Sequence, residues 1–136
     1  MIDFETPLGS RAAERLAKEK IIWLTTISAA GSPEPNPVWF YWDGKSIAIY
    51  SQPTSHKVKN IARNPKVSLN FQVDNEGGNV IVMTGDASLD HQPSSPNPNY
   101  LQKYRDEIPK IGLTPESLAS TYSVMITILP RKLRGL

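Results

Sequence analysis

Tyr50-Ser51-Gln52-Pro53-Thr54-Ser55-His56-Lys57-Val58-Lys59-Asn60-Ile61-Ala62-Arg63-Asn64-Pro65 reads as the end of a strand, a tight turn, a short basic helix with hydroxyls at its mouth, and an Asn-Pro stop. A helix N-terminus presents free backbone N–H groups and the positive end of the helix dipole, so a mouth carrying Ser, Thr and Lys can seat a phosphate. Within the helix Val58, Ile61 and Ala62 stand at i, i+3 and i+4 and are expected to face the core. Lys57, Asn60 and Asn64 form a neighbouring stripe, and Lys59 with Arg63 another. On spacing alone, a Ser/Thr-capped helix with a solvated basic face is the commoner arrangement, so the ligand seat needs support from the rest of the chain.

Working upstream, Asp43-Gly44 is the strongest short hairpin signal and joins a strand over Asn36–Trp42 to a second over Ser46–Ser51. The first of these carries Val38, Phe40 and Trp42 on one face and Trp39 and Tyr41 on the other. Being apolar on both faces it needs cover on both, one side from the core and the other from a ligand or a partner subunit. Ile21–Ser28 is rich in β-branched residues and reads as another strand, followed by a turn over Ala29–Glu34. Leu8–Lys20 repeats small and apolar residues at a helical period, with Ser10 as its candidate N-cap.

Downstream, Val67, Leu69, Phe71 and Val73 alternate with polar residues as in a strand with one wet face. Asn79–Leu89 returns as a long strand interrupted by Gly85, where a bulge would help a sheet curl. A loop from His91 to Asn99 with three prolines, a helix over Tyr100–Ile108 and a helix start at Thr114-Pro115-Glu116-Ser117 make an insertion that could pack over a barrel mouth. The last strand, Ser123–Leu129, runs into a basic tail, Pro130–Leu136. Six strands with hairpin connections and short flanking helices predict a mainly β, α+β single domain over residues 1–136, a six-stranded antiparallel split barrel.

Composition excludes several function classes. With no cysteine there is no disulfide, thiol chemistry or cysteine metal site. Fifteen basic against thirteen acidic residues leave a net charge of +2, too weak a bias to argue for nucleic acid or an anionic membrane. No apolar run approaches a membrane span, and Met1–Ser10 lacks the pattern of a secretion signal, so a cytoplasmic protein is expected. No catalytic triad can be assembled, since the two histidines lie in different loop contexts with no partnering acid at a telling spacing.

Tyr50-Ser51, then Ser55-His56-Lys57, Asn60-Ile61 and Asn64-Pro65-Lys66-Val67 together resemble the phosphate-binding segment of the pyridoxamine 5′-phosphate oxidase-like, split-barrel flavin or deazaflavin-binding superfamily. Pro37–Gly44, Tyr50–Pro53, Gly77-Gly78 and Pro130–Gly135 look most like its branch of small F420-dependent enzymes, so the resemblance runs along nearly the whole chain. It implies that Tyr50 and Ser51 line the cofactor's side chain, that Ser55, His56 and Lys57 receive the phosphate, and that backbone groups of Val38 and Trp39 meet the ring edge.

It further implies hydride transfer between a bound F420 or FMN and a small unsaturated organic substrate. The cofactor carries that chemistry, so no protein nucleophile is required and no catalytic side chain is nominated. A homodimer with the pocket between subunits is implied as well, with Arg131, and Arg134 beside it, reaching toward the partner's cofactor or else lying in an exposed tail. Two departures favour F420 over FMN. His56 stands where flavin enzymes often carry Arg, and Asn36-Pro37-Val38 lacks the Arg of their second strand. A non-catalytic cofactor carrier, a haem-binding split barrel using His56 and His91, and a small-barrel nucleic-acid module are the alternative readings.

Overall fold

The computed structural model, which describes residues 1–93 and 96–136, begins with helix α1 (Pro7–Lys18). Its N-cap is Thr6, whose hydroxyl accepts from Gly9 N at 3.0 Å, and the expected cap Ser10 lies inside the helix. Pro7 explains the shift, because its fixed φ and missing N–H suit the first helical position and move the start upstream.

Seven strands, one more than the six expected, follow among the described residues: β1 (Ile22–Ile27), β2 (Pro33–Val38), β3 (Tyr41–Trp42), β4 (Ile47–Ser51), β5 (Lys66–Asn70), β6 (Ile81–Asp90) and β7 (Val124–Gly135). They form one sheet in the order β2-β1-β5-β6-β7-β4-β3, antiparallel at every pairing, curled into a half-barrel. Helix α2 (His56–Arg63) lies between β4 and β5. Helices α3 (Pro98–Lys103) and α4 (Pro115–Thr121), with a 3₁₀ turn at Pro109–Ile111, lie between β6 and β7. Among the described residues no helix is long and apolar enough to cross a membrane.

The main departure from expectation concerns Asn36–Trp42. It is two strands, and they occupy opposite edges of the sheet. Trp39 and Phe40 carry the chain across the open side, and Phe40's backbone groups bond to the Tyr104 hydroxyl and the Lys103 amine in place of a neighbouring strand. The alternation survives the break. Val38 and Phe40 are buried in the barrel core with Trp42 packed against it, while Trp39 and Tyr41 pack on a second cluster of Tyr50, Tyr100, Tyr104, Ile108 and Leu118. Cover for the outer aromatic face is therefore supplied largely by the chain's own insertion.

Other boundaries move for similar reasons. Pro33, expected in a turn, belongs with Pro35 to β2, an edge strand paired only with β1, where a missing N–H is tolerated. The strand expected to reach Val73 ends at Asn70, although Phe71 stays buried. Pro130–Gly135 is no tail: β7 continues through it and pairs with the first half of β6. The register slips between Thr84 and Gly85, at the bulge expected there. A Cβ on Gly85 would press into the Leu129 carbonyl, so only glycine fits this crossing.

Candidate functional site

The site begins where β4 ends. Ser51 is buried, and its Oγ lies 2.8 Å from the Oγ of Ser55. Ser55 caps α2 by accepting from Val58 N, and Lys59 N bonds to its carbonyl. The N–H groups of His56 and Lys57 open the helix and have no intrahelical acceptor. The sequence therefore builds a helix mouth here, but both serine hydroxyls are spent on the turn and the cap.

Val58 and Ile61 are buried as expected, whereas Ala62 is exposed and Asn60 takes its place inside. Asn60 Nδ2 donates to Thr26 Oγ1 at 2.9 Å and Glu34 Oε1 at 2.7 Å, and its Oδ1 accepts from Arg63 Nη2 at 2.8 Å. These bonds tie α2 to β1 and β2 and so fix which way the helix mouth points.

Lys57 projects from that mouth into a cavity of about 320 Å³ walled by Pro37, Val38, Trp39, Tyr50, Tyr100, Leu118 and Tyr122, with Ile21 and Ile111 at its rim. Burial lowers the proton affinity of the Lys57 amine. Among the described residues it has no ion pair, and it is the sole charged group in the cavity wall. A desolvated, unpaired cation at a helix N-terminus, facing aromatic walls, suits a ligand with one anionic group on a flat apolar body. The volume is at the small end of the range for small-molecule sites, roughly 300–1,000 Å³, so one chain encloses only part of a large cofactor.

Of the residues nominated from sequence, Val38, Trp39, Tyr50 and Lys57 share this cavity, and Ser51 and Ser55 stand behind it. His56 does not share it. It lines a different groove with Ser28, Glu34, Lys59 and Arg63, because successive helical residues point about 100° apart. Arg131 stands in a third groove of about 400 Å³, bonded to Asp86 Oδ2 at 3.0 Å beside Lys66. His91 borders yet another, with Tyr50 and Tyr122, so the two histidines do not face one ligand within the chain.

The sequence reading missed Ile21, Pro37, Tyr100, Ile111, Leu118 and Tyr122. Four of them belong to the insertion, whose aromatic residues were the only sign that it would form a wall. Tyr50 links the two halves: its ring meets Tyr100 edge-on at 4.7 Å, and its hydroxyl accepts from Asn97 N at 2.9 Å.

Comparison with known proteins adds to this geometry. The sequence model of the pyridoxamine 5′-phosphate oxidase family matches residues 8–133. Among solved structures, an F420 reductase superposes with a TM-score of 0.69 at 21% identity, covering 89% of this chain and 94% of that one. The conserved hypothetical protein Rv2991 from Mycobacterium tuberculosis gives 0.67 at 19% identity, over 92% and 81%. HutZ, the heme storage protein from Vibrio cholerae, gives 0.64 at 17% identity, over 96% and 95%. At these identities the likeness is one of fold. No curated protein matches the sequence.

Proposed function

The chain belongs to the pyridoxamine 5′-phosphate oxidase family, and from that premise we propose that it is a cytoplasmic oxidoreductase binding F420, or alternatively FMN. When bound, such a cofactor supplies hydride transfer to or from a small unsaturated organic substrate. The protein's part is to hold, orient and desolvate.

Lys57 carries the reading. It is partly buried, unpaired among the described residues, set at the mouth of α2 and framed by Trp39, Tyr50 and Tyr122. It would hold the cofactor's phosphate together with the free N–H groups of His56 and Lys57, while Val38 and Trp39 meet the apolar part. F420 is preferred because the wall offers one cation, which matches the single charge of a phosphodiester, where FMN's compact dianion favours several. A second copy of the chain would complete it. The rim residues Ile21 and Ile111, 42% and 52% exposed, are apolar surface that such a partner would cover, and Arg131 would approach the cofactor from that side.

The test is titration of wild type and Lys57→Ala with F420 and with FMN, beside the absorption spectrum of the purified protein. Wild type is expected to bind F420 more tightly than FMN and the variant to lose most affinity for both. Equal affinities of the two proteins would remove the assignment, and a reversed ranking would exchange F420 for FMN. Binding without turnover of any unsaturated acceptor would make the protein a carrier.

A further inference from the structure

We propose that Lys103 and Tyr104 are positioning residues for this cavity, holding Phe40 by both of its backbone polar groups and so setting Trp39 in the cavity wall. The proposal rests on the cofactor reading only for its expected effect on affinity. The crossing between β2 and β3 joins opposite edges of the sheet and has no ladder of its own. Phe40 is fully buried within it, so its N–H and C=O need partners from outside the sheet.

Tyr104 and Lys103 supply them. Phe40 N donates to Tyr104 Oη at 2.8 Å. The tyrosine's single proton has two carbonyls in reach, Lys20 O at 2.7 Å and Phe40 O at 2.9 Å, and can satisfy one. Lys103 Nζ, 2.8 Å from Phe40 O, provides the second donor and frees the tyrosine proton for Lys20. The same amine sits 3.6 Å from the centroid of the Phe40 ring and 5.2 Å from that of Tyr104. Tyr104 is in turn stacked flat on Trp39, with centroids 4.5 Å apart and planes within 3°. One tyrosine thus grips the crossing peptide with its hydroxyl and the next indole with its face, and Trp39 lines the cavity that holds Lys57.

Lys103 is well placed to make this grip pH-dependent. Burial, reinforced by the charge of Lys20 and opposed by that of Glu19, brings its amine down to about 8. Other ionisable groups close by are Tyr104, pushed far above its ordinary value by burial, Glu107, held low by its bond to Lys20, and Tyr41, which lines a groove with Lys103. A neutral Lys103 keeps N–H donors but loses charge assistance and its attraction to the ring. The hold on Phe40 should therefore slacken as pH rises through about 8.

The experiment uses the full chain labelled with 5-fluorotryptophan, the Trp39 resonance being assigned with Trp39→Phe and that of Trp23 serving as the control, since Trp42 shares a groove with Lys103. In wild type the Trp39 resonance should titrate with a midpoint near 8. In Lys103→Met, which has no donor at all, it should not titrate and should be displaced at least as far as the high-pH position, and in Lys103→Arg it should stay at the low-pH position. FMN, as the probe, should bind about tenfold more weakly to Lys103→Met, the loss of one charge-assisted hydrogen bond, and regain its affinity in Lys103→Arg. Tyr104→Phe keeps the stack and loses the hydroxyl, and should weaken binding as well; the Lys103 pair decides the matter if that variant does not fold. A flat Trp39 resonance in wild type, or a Lys103→Met variant that matches wild type, would overturn the proposal whether or not FMN binds. A titrating Trp39 in a protein that binds neither FMN nor F420 would instead overturn the cofactor reading and leave the positioning role standing.

Discussion

Lys57 shows how much depends on where one side chain is placed. Burial lowers its proton affinity in the free protein, and a bound anion, which favours the charged amine, raises it again. Anion binding should accordingly be steady below the lowered pKa and weaken as pH rises through it, whereas Lys57→Arg should bind with no such fall. Titrations at stepped pH check the sign. For stability the sensitive residue is Asn60, 3% exposed and bonded to Thr26, Glu34 and Arg63. Asn60→Leu leaves buried Thr26 without its donor and should cost about 1–3 kcal/mol, read as a lower urea midpoint at an unchanged slope. Lys103 acts in the opposite sense. Burial brings its amine to about 8 in the folded chain, below the ordinary lysine value of 10.5, so the unfolded chain binds more protons between those values. Stability should rise with pH across that window, by an amount reduced by the side chain's partial exposure, and Lys103→Met should abolish the rise.

At the scale of elements, β6 and β7 carry the sheet's geometry. Their pairing runs from Asp90↔Met125 to Ile81↔Gly135, with the slip at Thr84/Gly85 bending both strands. Gly85→Ala would force a methyl group against the Leu129 backbone and is expected to destabilise by about 1–3 kcal/mol, measurable by thermal or chemical denaturation. Helix α2 depends on its cap. Ser55→Ala removes the bond to Val58 N and the contact with Ser51 Oγ, and should cost about 1 kcal/mol while loosening the helix mouth. A larger loss of cofactor affinity than of stability would mark the mouth as the ligand seat.

For the whole molecule, the consequence of the fold is that β2 and β3 close the open side through Trp39 and Phe40, with the α3–α4 segment packed over them. An exposed apolar rim at Ile21 and Ile111 predicts a dimer, with a light-scattering mass twice the 15.1 kDa of the chain, and Ile111→Lys should shift it toward monomer. Monomeric wild type would leave the proposed pocket one-sided and remove Arg131 from it.

What the sequence determined by itself was local. The strand alternations, the Asp43-Gly44 hairpin, the Gly85 bulge, the Thr114-Pro115 helix start and the Ser55 cap are all written in periods and turn residues that act over a few positions. So was the order of motifs that points to the family. The tertiary structure alone decided that Asn36–Trp42 breaks into two edges, that Pro130–Gly135 is strand and no tail, and that His56 and Lys57, adjacent in sequence, face different grooves. The reason is that these outcomes depend on partners far along the chain: Tyr104 and Lys103 for Phe40, β6 for the last residues, and the insertion's Tyr100, Leu118 and Tyr122 for the wall opposite Lys57. A residue's own period cannot say which distant group will satisfy its backbone or cover its face, and at this site those distant groups make the cavity.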